Sequence, residues 1–220
     1  MTDAGVATTF DPDCRQCPRL AGHLEAVRAT HPDYHAAPVP AFGVRHPRLL
    51  IVGLAPGMHG ANRTGRPFTG DYAGVLLYAT LHRLGLANRP DAVDREDGLR
   101  LLGVRITNAV KCLPPENKPI GAEVANCNRY LAAELDALPG TAVILALGGV
   151  AHRAVLRALG LRQAEHGFAH AAEHRLADGR WLVDSYHCSR YNTQTGRLTA
   201  EAFEHVVRRA AERAGIALQP

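Results

Sequence analysis

Short apolar runs rich in β-branched residues recur along the chain at 48–54 (RLLIVGL), 104–110 (VRITNAV), 142–147 (AVILAL) and 181–186 (WLVDSY), and these predict four core strands. Between and after them, apolar positions return at helical spacing over 72–84, 122–138, 150–159 and 201–214. Asp71 and Thr199 stand directly before the first and last of these stretches, where a side-chain oxygen can cap a helix start. Strand and helix alternate. The expected fold class is therefore α/β, a mainly parallel sheet with helices on both faces. Such sheets bind ligands beyond the carboxyl ends of their strands, so function is expected in the segments that follow each strand.

The segment up to about residue 43 reads as a helical arm with a Pro-rich connector (AAPVPAFG), and no internal repeat or low-complexity tract is present. One domain over 1–220 accounts for the chain. With 220 residues, 46% of them hydrophobic and 21% charged, the chain is long and apolar enough for a full core, which excludes a disordered tail. No window approaches the apolar length of a membrane span, and MTDAGVATTF has neither the charged nor the apolar region of a secretion signal, so a cytoplasmic location and no membrane partner are expected. Of 25 basic residues, 23 are Arg, against 21 acidic ones; the balance permits a polyanionic partner without demanding it.

Five Cys in a chain of this kind argue for ligation or thiol chemistry over a disulfide scaffold. Cys14 and Cys17 form a CxxC, Cys112 follows the second strand, Cys127 lies in the next helix after fourteen intervening residues, and Cys188 stands apart. The arm has no βαβ unit, which disfavours a thioredoxin-like reading of the CxxC. Folded back over the 112–127 segment, it would bring four thiolates to one centre. The bland alternative is four separate buried thiols. A tetrahedral sulfur set suits zinc or an iron-sulfur cluster, and spacing does not separate them.

The stretch 53–71, GLAPGMHGANRTGRPFTGD, is too long and too Gly-rich for an ordinary turn and reads as a ligand-cradling loop. It contains neither GxGxxG nor GK[ST], so the dinucleotide and phosphate-loop readings fall. Gly57, Gly60, Gly65 and Gly70 permit close backbone approach to a flat ligand, and Phe68 offers a stacking face. Equally, Phe68 could be a core residue and Asp71 a plain helix cap. After the fourth strand, 185–199 reads SYHCSRYNTQTGRLT, with His187 where a catalytic imidazole, or a hydrogen-bonded interior histidine, would sit.

Taken together, these segments resemble the uracil-DNA glycosylase superfamily, most closely its family 5, the type b enzymes. The loop 53–71 is similar to that family's first motif and 185–199 to its second; 107–119, TNAVKCLPPENKP, resembles a connecting motif shared by families 4 and 5. The resemblance covers the chain from Cys14 to beyond Thr199. It implies a three-layer α/β/α fold around a central four-stranded parallel sheet, and excision of uracil, with hypoxanthine as a further candidate, from single- or double-stranded DNA. Cys14, Cys17, Cys112 and Cys127 match the ligands of a [4Fe-4S] cluster. Asp71 and His187 match catalytic positions; Leu54, Ala55, Gly57, Phe68, Asn108 and Asn117 match the base pocket; Ser189, Arg190, Tyr191 and Asn192 match the loop that enters DNA.

Two departures are informative. Several branches of the superfamily carry an acidic or amide residue after the first Gly of the first motif to position water, whereas this chain has Leu54, as family 5 does, which leaves Asp71 as the matched carboxylate. Asn108 stands where some family 5 members carry a small residue and family 4 an Asn, so substrate breadth is open. With only Lys111 and Lys118 as side-chain amines, a Schiff-base lyase is not expected, and the enzyme should be a monofunctional monomer. The competing readings are a non-catalytic nucleic-acid-binding protein, which would not require the Asp71 and His187 pairing, and a metal-dependent hydrolase, for which no clustered carboxylate ligand set stands beside the four Cys.

Overall fold

The computed structural model describes residues 10–219. Strands β1 (Phe42–Gly43), β2 (Leu49–Gly53), β3 (Val104–Asn108), β4 (Val143–Leu147), β5 (Glu173–Arg175) and β6 (Trp181–Ser185) form one sheet in the order β1-β3-β2-β4-β6-β5. The central four, β3, β2, β4 and β6, are parallel and are the four strands expected from the apolar runs. The sheet is wider than expected, because β1 and β5 add antiparallel edges. Two residues of β1, and the Glu173-His174-Arg175 of β5, are too short or too polar to register as apolar runs. Short, charged strands of this kind are also what blunts a sheet edge.

The helices are α1 (Pro18–Thr30), α2 (Ala61–Thr64), α3 (Tyr72–Arg83), α4 (Gly121–Asp136), α5 (Gly149–Ala158), α6 (Arg190–Gln194) and α7 (Ala200–Arg213). The four long helices anticipated from periodicity are α3, α4, α5 and α7, each displaced by no more than two residues at either end. Side chains alternate along β2: Leu49 and Ile51 join a core with α3 and α7, while Leu50 and Val52 join a second core with α4 and α5. Burial of both faces explains why the strands read as continuous apolar runs. Asp71 caps α3 by accepting from the Gly74 N–H, and Thr199 caps α7 by accepting from Ala202.

The arm is helical as expected from residue 18 onward; its first nine residues lie outside the described ones, as does Pro220. Leu20, Leu24 and Val27 of α1 pack on Val110, Leu113 and Tyr130 in a third, smaller core. Among the described residues no helix is long and apolar enough to cross a membrane. Because the central strands are parallel, their carboxyl ends share one edge: Gly53 pairs with Asn108, and Leu147 with Ser185. The loops that follow all four therefore open on the same crevice.

Candidate active site and four-cysteine pocket

One crevice is lined from every one of those loops: Leu54, Ala55, Gly57, Phe68 and Asp71 after β2, Asn108 and Asn117 from β3 onward, Gly148 after β4, and His187, Ser189 and Arg190 after β6. All eight residues expected to carry the chemistry or hold the base line it, as do two of the four expected to meet DNA.

Asp71 divides its carboxylate between two tasks. Oδ1 accepts from the Gly74 N–H at 2.9 Å, which is the helix cap. Oδ2 faces the preceding loop, where a β-carbon on Gly57 would come within 3.3 Å and one on Gly60 would collide with it. Burial raises the Asp71 carboxyl above its ordinary range, against the opposing pull of the Gly74 and Ala73 N–H groups.

His187 is stacked on Phe68, with ring centroids 5.8 Å apart and planes 25° from parallel. Burial pushes its imidazole down to about 4, so it is neutral at physiological pH. Its backbone carbonyl accepts from Asn192 Nδ2 at 2.8 Å. Asn192 thus faces inward and positions His187, while Tyr191 beside it is 71% exposed. Arg190 lies over the Tyr72 ring at 5.1 Å, and Ser189 caps α6, so this short helix is braced against the start of α3.

Phe68 is at φ 54°, a left-handed conformation that a bulky residue adopts at a cost of about 1–3 kcal/mol. Its ring is buried against Gly53, where a β-carbon would stand 2.6 Å from Phe68 Cζ and would strike Asn108 Oδ1. Phe68 is therefore at once a core residue and a pocket wall. Asn108 is only 3% exposed, and its Oδ1 has no hydrogen-bond partner. A buried acceptor left unpaired costs about 1–3 kcal/mol unless something supplies a donor. Asn117, its rival as base reader, is exposed at the rim in a left-handed turn at φ 57°.

Sequence reasoning missed the outer wall, which includes Met58, His59, Arg63 and the 90–93 segment. That segment is held by a buried bidentate pair, Arg66 to Asp97 at 2.8 and 2.6 Å, and by Gly70 N–H donating to Ala92. Asp97, standing alone amid charged residues, carries no local signal of such a role.

The other end of the arm forms a separate pocket. Cys14, Cys17, Cys112 and Cys127 line a small cavity with Leu20, Val110 and Tyr130. Donors approach the sulfurs: Lys111 N–H to Cys127 at 3.2 Å, Asn126 Nδ2 to Cys17 at 3.7 Å and an Arg129 Nη to Cys14 at 3.6 Å. Burial pushes the Cys112 thiol up to about 12, with neighbouring Cys127, Cys14 and Cys17 adding to the rise. Among the described residues, three donor atoms come within 4.8 Å of one another only at His152, His174 and Asp184. The four sulfurs are thus spaced wider than a single tetrahedral ion with metal–sulfur bonds of about 2.3 Å would hold them. Cys188 is fully buried in the core beneath α7, apart from this pocket.

Against known proteins, the family model described as the uracil DNA glycosylase superfamily matches residues 40–211. A type-5 uracil-DNA glycosylase of Thermus thermophilus is 50% identical over 208 residues, covering 92% of this chain and 94% of that one. A type-5 uracil-DNA glycosylase of Pyrobaculum aerophilum is 45% identical over 207 residues, covering 92% and 90%. The same organism's type-4 uracil-DNA glycosylase is 38% identical over 135 residues, 61% of each chain.

Proposed function

The chain belongs to the uracil DNA glycosylase superfamily, and we propose that its crevice excises uracil from DNA as a monofunctional glycosylase, hydrolysing the N-glycosidic bond and leaving an abasic site. The observation that carries this reading is the convergence of a neutral His187, an Asp71 carboxylate and an unpaired Asn108 acceptor in one crevice.

A base inside a duplex cannot reach that crevice, so it must be flipped out of the stack. Asn108 then reads its edge: Oδ1 accepts from uracil N3–H and Nδ2 donates to O4, a pairing that cytosine, with an unprotonated N3 and an amino group, does not match. As the C1′–N1 bond breaks, its electron pair leaves with the base. His187, donating a ring N–H to O2, stabilises that negative charge, and as a neutral group it does so without holding a proton it must first shed. Backbone N–H groups at Ala55 and Gly57 complete the pocket. Asp71 Oδ2, free of the helix cap and beside Gly57 and Gly60 in the same crevice, supplies the ionised carboxylate that would counter the oxocarbenium-like charge and orient the water that adds to C1′.

The absence of a Schiff-base step in this proposal rests on the amines. Lys111 is buried and bonded to Thr107 and to Glu134 at 3.0 and 3.1 Å, and Lys118 pairs with Glu116 at 3.1 Å. The proposed enzyme acts on DNA as a cytoplasmic monomer. Exposed Tyr191, with Arg190 and Ser189 around it, is the element that meets the opened duplex. Hypoxanthine, which also offers a carbonyl beside an N–H, is a further substrate of the same edge-reading geometry.

The four cysteines fit a [4Fe-4S] cluster, which would be held by Cys14, Cys17, Cys112 and Cys127 and would supply a rigid cross-link between the arm and the β3–α4 connection. Their wide spacing supports this over zinc, while the N–H groups directed at three of the sulfurs suit thiolate ligation of either kind. The test of the whole reading is incubation with uracil-containing oligonucleotides. Released free uracil with alkali-labile strands is expected; tight binding without base release would leave only a nucleic-acid-binding protein, and a borohydride-trapped adduct would overturn the monofunctional mechanism.

A further inference from the structure

A second polar cluster, none of whose residues lines the crevice, plays no part in the chemistry above. Asp184 of β6 is fully buried, and two imidazoles from different elements converge on its carboxylate. His152 of α5 brings Nδ1 to Oδ1 at 2.8 Å, and His174 of β5 brings Nε2 to Oδ2 at 3.2 Å. All three donor atoms lie within 4.8 Å of one another.

The environment of His152 makes this more than a hydrogen-bonded histidine. Its other nitrogen, Nε2, faces the His166 carbonyl at 2.9 Å. Both ring nitrogens therefore face oxygen acceptors, whereas a neutral imidazole has a single N–H to give. If Nε2–H is donated to the carbonyl, the Nδ1 lone pair and the Asp184 carboxylate face one point, which a cation, either a proton or a metal ion, occupies. An imidazole whose far N–H is held by a backbone carbonyl is the arrangement that orients a metal-ligating histidine and raises its basicity. Two imidazole nitrogens and one carboxylate oxygen are the borderline donors that suit zinc, and they leave the fourth tetrahedral position to solvent. The site is closed by the Phe168 ring, 5.6 Å from that of His152, and reached past His174, whose side chain is 15% exposed.

We propose that His152, His174 and Asp184 form a binding site for one divalent transition-metal ion, zinc being the best match, distinct from the four-cysteine pocket. The ion would join α5, β5 and β6 three residues before His187, and so brace the strand end that carries it.

The full chain with its cysteines intact, equilibrated with zinc and dialysed, tests this through zinc and iron content together with zinc X-ray absorption. One zinc per chain is expected, with a shell of nitrogen and oxygen at about 2.0 Å and no sulfur at about 2.3 Å. His174→Ala should lose that equivalent at unchanged iron content, and zinc should raise the melting temperature of the parent protein but not of the variant. Asp184→Asn should behave alike; should it fail to fold, His174→Ala at the sheet edge still decides. No retained zinc, a sulfur shell, or undiminished zinc in His174→Ala would overturn the proposal.

Discussion

The carboxylate of Asp71 and the bare α-carbon of Gly60 occupy adjoining space: any β-carbon at residue 60 would run into Asp71 Oδ2 and the carbons behind it. Since Oδ1 is committed to capping α3, the contact with Gly60 fixes where the free oxygen points. Asp71→Asn retains a capping oxygen and should keep the melting temperature while single-turnover uracil excision falls by roughly 10²-fold or more. Gly60→Ala should impair the same step by displacing the side chain. The Asp71 carboxyl is held above its usual range and acts ionised, so excision should decline with falling pH along a limb above the ordinary Asp value, and Asp71→Asn should lack that limb. No inflection near the usual histidine range is expected, because His187 is already pushed down to about 4. Full activity in Asp71→Asn would reduce the carboxylate to a helix cap.

Asn108 sits buried at the crevice floor with its acceptor unpaired, and Asn117 sits exposed at the rim. Asn108→Ala should therefore slow uracil excision more than Asn117→Ala does, and shift the preference between uracil and hypoxanthine, since a site built to hydrogen-bond its substrate loses discrimination with that partner. Side-by-side single-turnover rates on both lesions check this. Equal rates for the two variants would mean the base edge is read elsewhere.

What was legible in the sequence follows from what has a local signature. Strands buried on both faces declare themselves as runs such as AVILAL, and a loop as Gly-rich as 53–71 reads as a ligand cradle. The edge strands carry no such pattern, and the double role of Phe68, at once core and wall, follows from Gly53 approaching its ring from a strand that sequence spacing cannot place beside it. Asn192 shares a loop with the DNA-facing residues in the sequence, but one turn of α6 points it back at His187. His152, His174 and Asp184 meet only through the β5–β6 pairing and the packing of α5, and twelve scattered His residues gave no reason to single out two.

Cys14, Cys17, Cys112 and Cys127 predict a brown protein with four iron and four sulfide per chain. Cys14→Ser should lower iron content and thermal stability, because the cluster would join α1 to the domain beside its small apolar core and the Arg19–Glu123 ion pair. Cys188→Ser should leave iron content unchanged, since that thiol lies in a different core. Elemental analysis of the three proteins decides; a colourless parent protein holding zinc on sulfur would refute the cluster.

The buried Arg66–Asp97 pair anchors the outer wall of the crevice. Burial opposes ionisation of Asp97, but the Arg66 bond and the N–H groups of Leu99, Val93 and Asp94 outweigh it and hold the carboxyl well below its usual range. A depressed carboxylate pKa stabilises the folded chain above the unfolded value of about 3.9 and withdraws that stability as pH falls below it. Asp97→Asn should cost about 3–5 kcal/mol at neutral pH by leaving Arg66 buried and unpaired. Its stability should also fall less steeply than the parent's below about pH 4. Denaturant titrations at several pH values measure both, and an unchanged acid slope would show that Asp97 does not set it.

Asn192 touches the reaction only through His187, whose carbonyl it holds at 2.8 Å. Removing that bond frees the segment between β6 and α6 to move, and a donor displaced by a fraction of an ångström from the leaving oxygen loses most of its effect on the transition state while altering substrate binding little. Asn192→Ala should accordingly lower kcat by about tenfold to 10²-fold with KM nearly unchanged. Tyr191→Ala, one residue away but 71% exposed, should do the reverse and weaken DNA binding with a smaller effect on the chemical step. Asn192→Asp, which cannot donate to the carbonyl when ionised, should resemble Asn192→Ala. If Asn192→Ala instead raises KM like Tyr191→Ala, the side chain contacts DNA and its bond to His187 is incidental.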